Sequence, residues 1–299
     1  MSGDGVNARD DKKLDDLATI QSNCTLSSLY EAYIFDLDGT VYLGEALLPT
    51  AGETITTLRG LGRRTVFLSN NPTHTRQEYA ARLTRLGLPT PVEDIINSSL
   101  VLVGFLRHYL PGGRLFVVGE EPLCAELRAA GFELTDEACR IDAMIASFDR
   151  TFVYRKLQIA FDAIRAGARF FATNADRYCP VPGGGEPDAA AIIAAIEACT
   201  GAQVEAVVGK PSHYMIEAVL SLLNLPADRC IITGDRLETD VRMGLESGMA
   251  AALTLTGATD EAALVASSIR PTYVLHRLSD LIPSHIKIPG DYAHHSGGS

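Results

Sequence analysis

No two of the six cysteines in this 299-residue chain form a C-x-x-C pair: Cys24, Cys124, Cys139, Cys179, Cys199 and Cys230 are scattered. Neither a zinc site nor a redox dithiol is indicated, and reduced, structural thiols are expected. Basic residues are also scarce, with 26 Lys and Arg against 37 Asp and Glu and a formal net charge of −11. A nucleic acid or an anionic membrane surface needs clustered positive charge, so neither is expected as a partner. No stretch reaches the roughly 20 apolar residues that span a bilayer. The N-terminus is polar and acidic, unlike a secretory signal, so a cytoplasmic location is expected.

Hydrophobic residues make up 46% of the chain. At this length that supports a large buried core, arranged as two domains or as one large one. Residues 1–24 are polar and read as a solvated arm, and residues 291–299, with His294 and His295, as an unconstrained tail. Between them, short β-rich runs (YIFDLD, TVFLSNN, RLFVVGE, AMIASF, RFFATNAD, AVVGK, CIITGD, AALTLTG) alternate with helical patterns such as TRQEYAARLTRLG. Strand, helix, strand, repeated, predicts an α/β fold with doubly wound parallel sheets. Gly87, Gly131 and Gly167 each close a helical pattern. The runs from about 98 to 205 fit either one long sheet or an inserted domain.

Open α/β sheets bind ligands outside the carboxyl ends of their strands, so polar residues there are site candidates. The stretch YIFDLDGT ends a buried run in two aspartates, and residues two apart in an extended segment share a face. Asp36 and Asp38 can therefore reach one pocket. A later strand ends in GDRLETD, which supplies Asp235 and Asp240. Four converging carboxylates repel one another without a cation, and all-oxygen ligation favours Mg²⁺ over zinc. FLSNN offers Ser69 and Asn70, and VVGKP offers Lys210, a point charge suited to phosphate. A carboxylate approaching a phosphate meets about 4 kcal/mol of repulsion per charge pair at roughly 4 Å and a dielectric near 20. A metal and a lysine offset it. Taken singly, DLDGT and SNN also fit capped turns, GDRLETD a capped helix start and Lys210 a solvated lysine.

In this order, DLDGT, LSNN, GKP and GDRLETD resemble the four motifs of the haloacid dehalogenase (HAD) superfamily, and of its nitrophenylphosphatase-like branch in particular, over roughly residues 30–283. The resemblance implies a Rossmann-like doubly wound core, residues 25–97 and 206–290, with an α/β cap domain inserted at 98–205. It implies that Asp36 is a nucleophile forming an aspartyl-phosphate and that Asp38 is the general acid and then base. Asp36, the backbone carbonyl of Asp38, and Asp235 would hold Mg²⁺, with Asp240 behind them. Ser69, Asn70 and Lys210 would bind the phosphoryl oxygens.

The cap stretch ATNADRYCP resembles the branch's T-N-x-D element, which places Thr173, Asn174 and Asp176 near the substrate. A capped turn is its plainer reading. The following PVPGGGEPD departs from the branch's usual Pro-Gly-x-Gly stretch, which bears on substrate choice. Gly183, Gly184 and Gly185 read as a flexible loop or an anion nest. The activity implied is hydrolysis of small phosphate monoesters such as sugar phosphates, phosphoglycolate or 4-nitrophenyl phosphate. A phosphotransferase using the same phospho-aspartate and a silent binding protein are the rivals. A homodimer through the cap is implied by the branch, and LVGFLRHYL (102–110) is apolar enough for such a contact or for core.

Overall fold

Strand β1 (Ala32–Asp36) is buried along all five residues, as expected where helices cover both faces of a parallel sheet. The computed structural model describes residues 26–181 and 183–286; the N-terminal arm with Cys24 and the C-terminal tail lie outside the described residues. After β1 comes a short hairpin, β2 (Tyr42–Leu43) and β3 (Ala46–Leu47). The helix Ala51–Gly60 leads to β4 (Arg64–Ser69), and the helix Arg76–Arg85 towards β5 (Ile95–Asn97). Thr75 and Glu78 cap the second of these reciprocally, satisfying two orphan amides.

The chain then leaves for a second layer: β6 (Arg114–Val118), β7 (Glu133–Leu134), β8 (Ala143–Ala146), β9 (Arg169–Ala172), the hairpin β10 (Tyr178–Val181) and β11 (Gly184–Pro187), and β12 (Ala206–Val207). It returns as β13 (Cys230–Gly234), β14 (Ala250–Thr254) and β15 (Tyr273–Leu275).

Two parallel sheets result, a six-stranded one ordered β15-β14-β13-β1-β4-β5 and a five-stranded one ordered β12-β9-β8-β6-β7. In the larger sheet the order reverses between β1 and β13, which opens a crevice at their carboxyl ends. The smaller sheet is the cap. β12 pairs with β9, Ala206 opposite Phe171, so the return to the core falls at 208–210, slightly later than the expected boundary after 205. The apolar pair Val207–Val208 favours continued pairing, which delays the crossing.

The segment 102–110 lies in the first cap helix, Ser98–Tyr109, and packs inward through Leu102, Val103, Phe105 and Leu106. Phe105 meets Tyr214 of the core helix His213–Leu223 edge-on, with ring centres 4.8 Å apart. At roughly 1.5–3 kcal/mol per fully buried large apolar side chain, these contacts root the cap on the core. The Gly-rich stretch forms β11, whose Gly185 lies against the Tyr178 ring so closely that a Cβ would sit 2.7 Å from it. Pairing with β10 thus replaces the expected flexible loop. Among the described residues no helix is long and apolar enough to cross a membrane.

Candidate active site

Asp36 ends β1 and Asp235 follows β13, so both stand at the crevice where the strand order reverses. Gly39 turns the chain away from Asp36 with φ 87°, and a Cβ there would lie 2.6 Å from Asp235 Oδ2. Only glycine allows both the left-handed backbone and that approach. Asp240 sits one turn beyond Asp235, where its Oδ2 accepts from the Arg236 amide at 3.3 Å. Carboxylate oxygens of Asp36, Asp235 and Asp240 lie within 4.8 Å of one another, all three residues buried.

Lys210 reaches into this group and donates to Asp36 Oδ1 and, at 2.7 Å, to Asp240 Oδ1. Burial alone would lower its pKa, but Asp240 and Asp36 outweigh it and hold the ammonium above its ordinary range. Burial pushes Asp36 well up, Lys210 pulls it down, and Asp240 and Asp235 raise it again. Asp235 is pushed up to about 6, by burial first and then by Asp240. Three carboxylates against one ammonium leave excess negative charge in a desolvated place, and every donor is an oxygen. This set suits a hard divalent cation such as Mg²⁺. Asp240, expected behind the metal, lies inside the same group.

Asp38 stands apart from the three, facing Arg82 and His74, and burial raises its pKa against their pull. Ser69 ends β4; its Oγ donates to Tyr79 Oη at 3.1 Å and accepts from the Asn71 amide at 3.1 Å. The side chains of Asn70 and Asn174, expected to touch substrate, are hydrogen-bonded within the protein, and Asn70 also lines the cavity of the site. Asn70 Oδ1 accepts from the Lys210 amide at 2.7 Å, and its Nδ2 donates to the Lys210 carbonyl at 3.2 Å and to Asp176 Oδ2 at 2.8 Å. Asn174 accepts from Thr173 and donates to Asp176 at 2.9 Å and Asp188 at 3.0 Å.

Asp36, Asp38, Ser69, Asn70, Asp176 and Lys210 line a cavity of about 50 Å³, to which the β10–β11 hairpin contributes Tyr178, Cys179 and Pro180. Sequence reasoning overlooked several of its lining residues. Arg236 follows Asp235 and in the sequence stands only as part of the motif. It donates to the Tyr178 carbonyl at 2.9 Å and lies 3.6 Å from Asp176. Asp188 precedes AAAII and looks like an ordinary helix cap, which it is, accepting from the Ala189 amide. Burial also pushes its carboxyl up to about 6. Cys179 lies 3.6 Å from Asn71 Nδ2, and burial, then Asp38, push its thiol up to about 12. A thiol so held is a poor nucleophile.

Residues 33–133 match the family model described as haloacid dehalogenase-like hydrolase, and residues 207–281 match a second, HAD-hydrolase-like one. The sugar-phosphatase AraL of Bacillus subtilis is 40% identical over 248 residues, 83% of this chain and 90% of that one. The chain belongs to the haloacid dehalogenase-like hydrolases. Within them it falls in the nitrophenylphosphatase-like branch. The 4-nitrophenylphosphatase of Thermotoga maritima superposes with a TM-score of 0.81 at 32% identity, covering 84% of this chain and 96% of the other. The glycerol phosphate phosphatase of Mycobacterium tuberculosis, solved in complex with magnesium, gives 0.78 at 30% identity, covering 86% and 78%. The core-and-cap α/β fold is that of the branch, and the chain is a phosphatase of the haloacid dehalogenase type.

Proposed function

We propose that the chain hydrolyses compact phosphate monoesters, such as sugar phosphates, phosphoglycolate or 4-nitrophenyl phosphate, in two steps through phospho-Asp36. The observation that carries this reading is Asp36 at the cavity floor, paired with Lys210 and grouped with Asp235 and Asp240. An Asp36 carboxylate oxygen attacks phosphorus, and the ester P–O bond breaks. Asp38, whose raised pKa suits holding a proton, gives that proton to the departing alkoxide. The Asp38 carboxylate then takes a proton from water, which attacks phosphorus and releases Asp36 and inorganic phosphate. Lys210, the Ser69 hydroxyl and backbone amides near Asn70 neutralise the phosphoryl oxygens.

Asp36, the Asp38 carbonyl and Asp235 would hold Mg²⁺, with Asp240 steadying them, and the ion would keep Asp36 ionised while offsetting phosphoryl charge. The small cavity beside the hairpin favours compact esters, and tighter closure of the cap over bound substrate would limit access of bulk water. The activities for which the relatives are named, on sugar phosphate, glycerol phosphate and nitrophenyl phosphate, support the same class.

The test is phosphate release from a panel of such esters, with and without Mg²⁺, for the wild type and Asp36→Asn. Metal-dependent release that disappears in the variant is expected. Isomerised sugar phosphate without free phosphate would replace hydrolysis by phosphotransfer, and no turnover of any kind would refute both.

A further inference from the structure

Lys210 lies on the segment that follows β12, by which the chain returns from cap to core, and adjacent residues there are held by different domains. The Val208 and Gly209 amides donate to Ala172 and Thr173 carbonyls of the cap, at 3.1 and 2.7 Å. The Lys210 amide and carbonyl are both bonded to the Asn70 side chain of the core. The outgoing crossing is tied to the same residue, because Ser98 Oγ, at the start of the helix Ser98–Tyr109, donates to the Asn70 carbonyl at 2.7 Å. Asn70 Nδ2 also reaches across to Asp176 of the cap. Asp176 is fixed on its own side by Asn174 and faces Arg236, which clasps Tyr178 through its carbonyl and ring. Every polar atom of the Asn70 side chain is thus engaged at the point where both crossings meet.

From this arrangement we infer that Asn70 is a positioning residue: it couples closure of the cap, read through Asp176 and Arg236, to the placement of the Lys210 ammonium on Asp36. The inference rests on the phosphatase reading for its effect on turnover but not for its geometry. With the cap down, the Asp176 carboxylate fixes the Asn70 amide, and the amide fixes the Lys210 backbone. With the cap lifted, Asp176 withdraws from both Asn70 and the core residue Arg236, and the amide can rotate. Lysine placement loosens as water gains access, so the site is complete only when it is closed. This assigns Asn70 and Asp176 to geometry, where their motif positions alone suggested contact with substrate.

The test exploits the polarity of the Asn70–Asp176 bond. Asn70→Asp still accepts from the Lys210 amide but sets carboxylate against carboxylate. It should lower kcat about 100-fold, as a misplacement of about 1 Å can. Asp176→Asn keeps a partner for Asn70 by amide rotation and loses only the charge facing Arg236, so a few-fold loss is expected. The double variant, Asn70→Asp with Asp176→Asn, restores donor and acceptor in reverse. It should turn over about tenfold faster than Asn70→Asp alone, a coupling ordinary for contacting residues. Recovery stays incomplete because the Lys210 carbonyl keeps no donor and Asn174 Nδ2, which shares Asp176 Oδ2 with Asn70, loses that acceptor.

Amide hydrogen exchange at Gly209 and Lys210 is the second readout and needs no turnover: it should quicken in Asn70→Asp and slow again in the double variant. A double variant no faster and no better protected than Asn70→Asp would overturn the coupling. If the wild type released no phosphate, the phosphatase reading would fail while exchange still decided the coupling, its return in the double variant supporting it and its failure to return refuting it.

Discussion

Lys210 Nζ donates to Asp240 Oδ1 at 2.7 Å and also to Asp36, so one buried ammonium is shared by the proposed nucleophile and a carboxylate of the second motif strand. Removing it leaves two buried carboxylates without their counter-charge. Lys210→Met is expected to lower stability by about 3–5 kcal/mol, the usual cost of breaking a buried pair from one side. Thermal unfolding without metal measures this. Added Mg²⁺ should raise the melting temperature of the variant, since a cation takes over part of the lost charge, and turnover should still fall at least about 100-fold.

Gly209 carries no side chain for a spatial reason. A Cβ there would lie 2.6 Å from both Asn70 Oδ1 and the Thr173 carbonyl. Gly209→Ala must push apart the cap and core contacts that flank Lys210. A stability loss of about 1–3 kcal/mol is expected, typical of overpacking. Denaturant titration gives that number, and a larger fall in kcat than in stability would place the damage at the site.

Asp188 gives a pH dependence of stability. Its folded pKa is raised to about 6 from an ordinary 3.8, chiefly by burial. A raised carboxyl binds its proton more tightly in the folded state. Its contribution is therefore fully present below about 4 and is lost as pH rises to 6 and beyond. Asp188→Asn keeps an oxygen for the Ala189 amide and has no proton to lose. The melting temperature of the variant, relative to wild type, should rise between pH 4 and 7. A difference that stays flat with pH would show that the Asp188 carboxyl is not perturbed in this way.

Metal binding should be linked to protons through Asp235, which without metal is pushed up to about 6. Ligation requires the ionised carboxylate, so binding below that pH must release a proton. Mg²⁺ affinity measured calorimetrically should weaken by up to about tenfold per pH unit below 6 and level off above 7. Buffers of different ionisation enthalpy would count the released proton directly.

Much of the fold was legible because β1, β4, β13 and β14 are short apolar runs that lead into polar residues, as YIFDLD and CIITGD do, with helical periodicity between, whereas the three-residue β5 and β15 are too short to stand out. Asp36, Asp38, Asp235, Asp240, Ser69 and Lys210 could be named because strand ends in such sheets converge. The cap was harder to read. GGGEPD has the composition of a loop, and only pairing with Tyr178–Val181 makes a strand of Gly184–Pro187. The uses of Asn70 and Asn174 were hidden because an amide beside a phosphate-binding motif looks like a ligand, whereas its partners come from residues far away in sequence. Arg236 and Asp188 were obscured by an adjacent motif aspartate and an ordinary helix start.

The proposed two-step hydrolysis requires Asp36 to carry the phosphoryl group during turnover. Acid-quenched turnover of 4-nitrophenyl phosphate with Mg²⁺, followed by peptide mapping by mass spectrometry, tests it most directly. The account predicts a phosphoryl adduct on Asp36 that accumulates in Asp38→Asn, where release by water is slowed, and is missing in Asp36→Asn. An active wild type with the adduct on another residue, or with no adduct in wild type or Asp38→Asn, would contradict it.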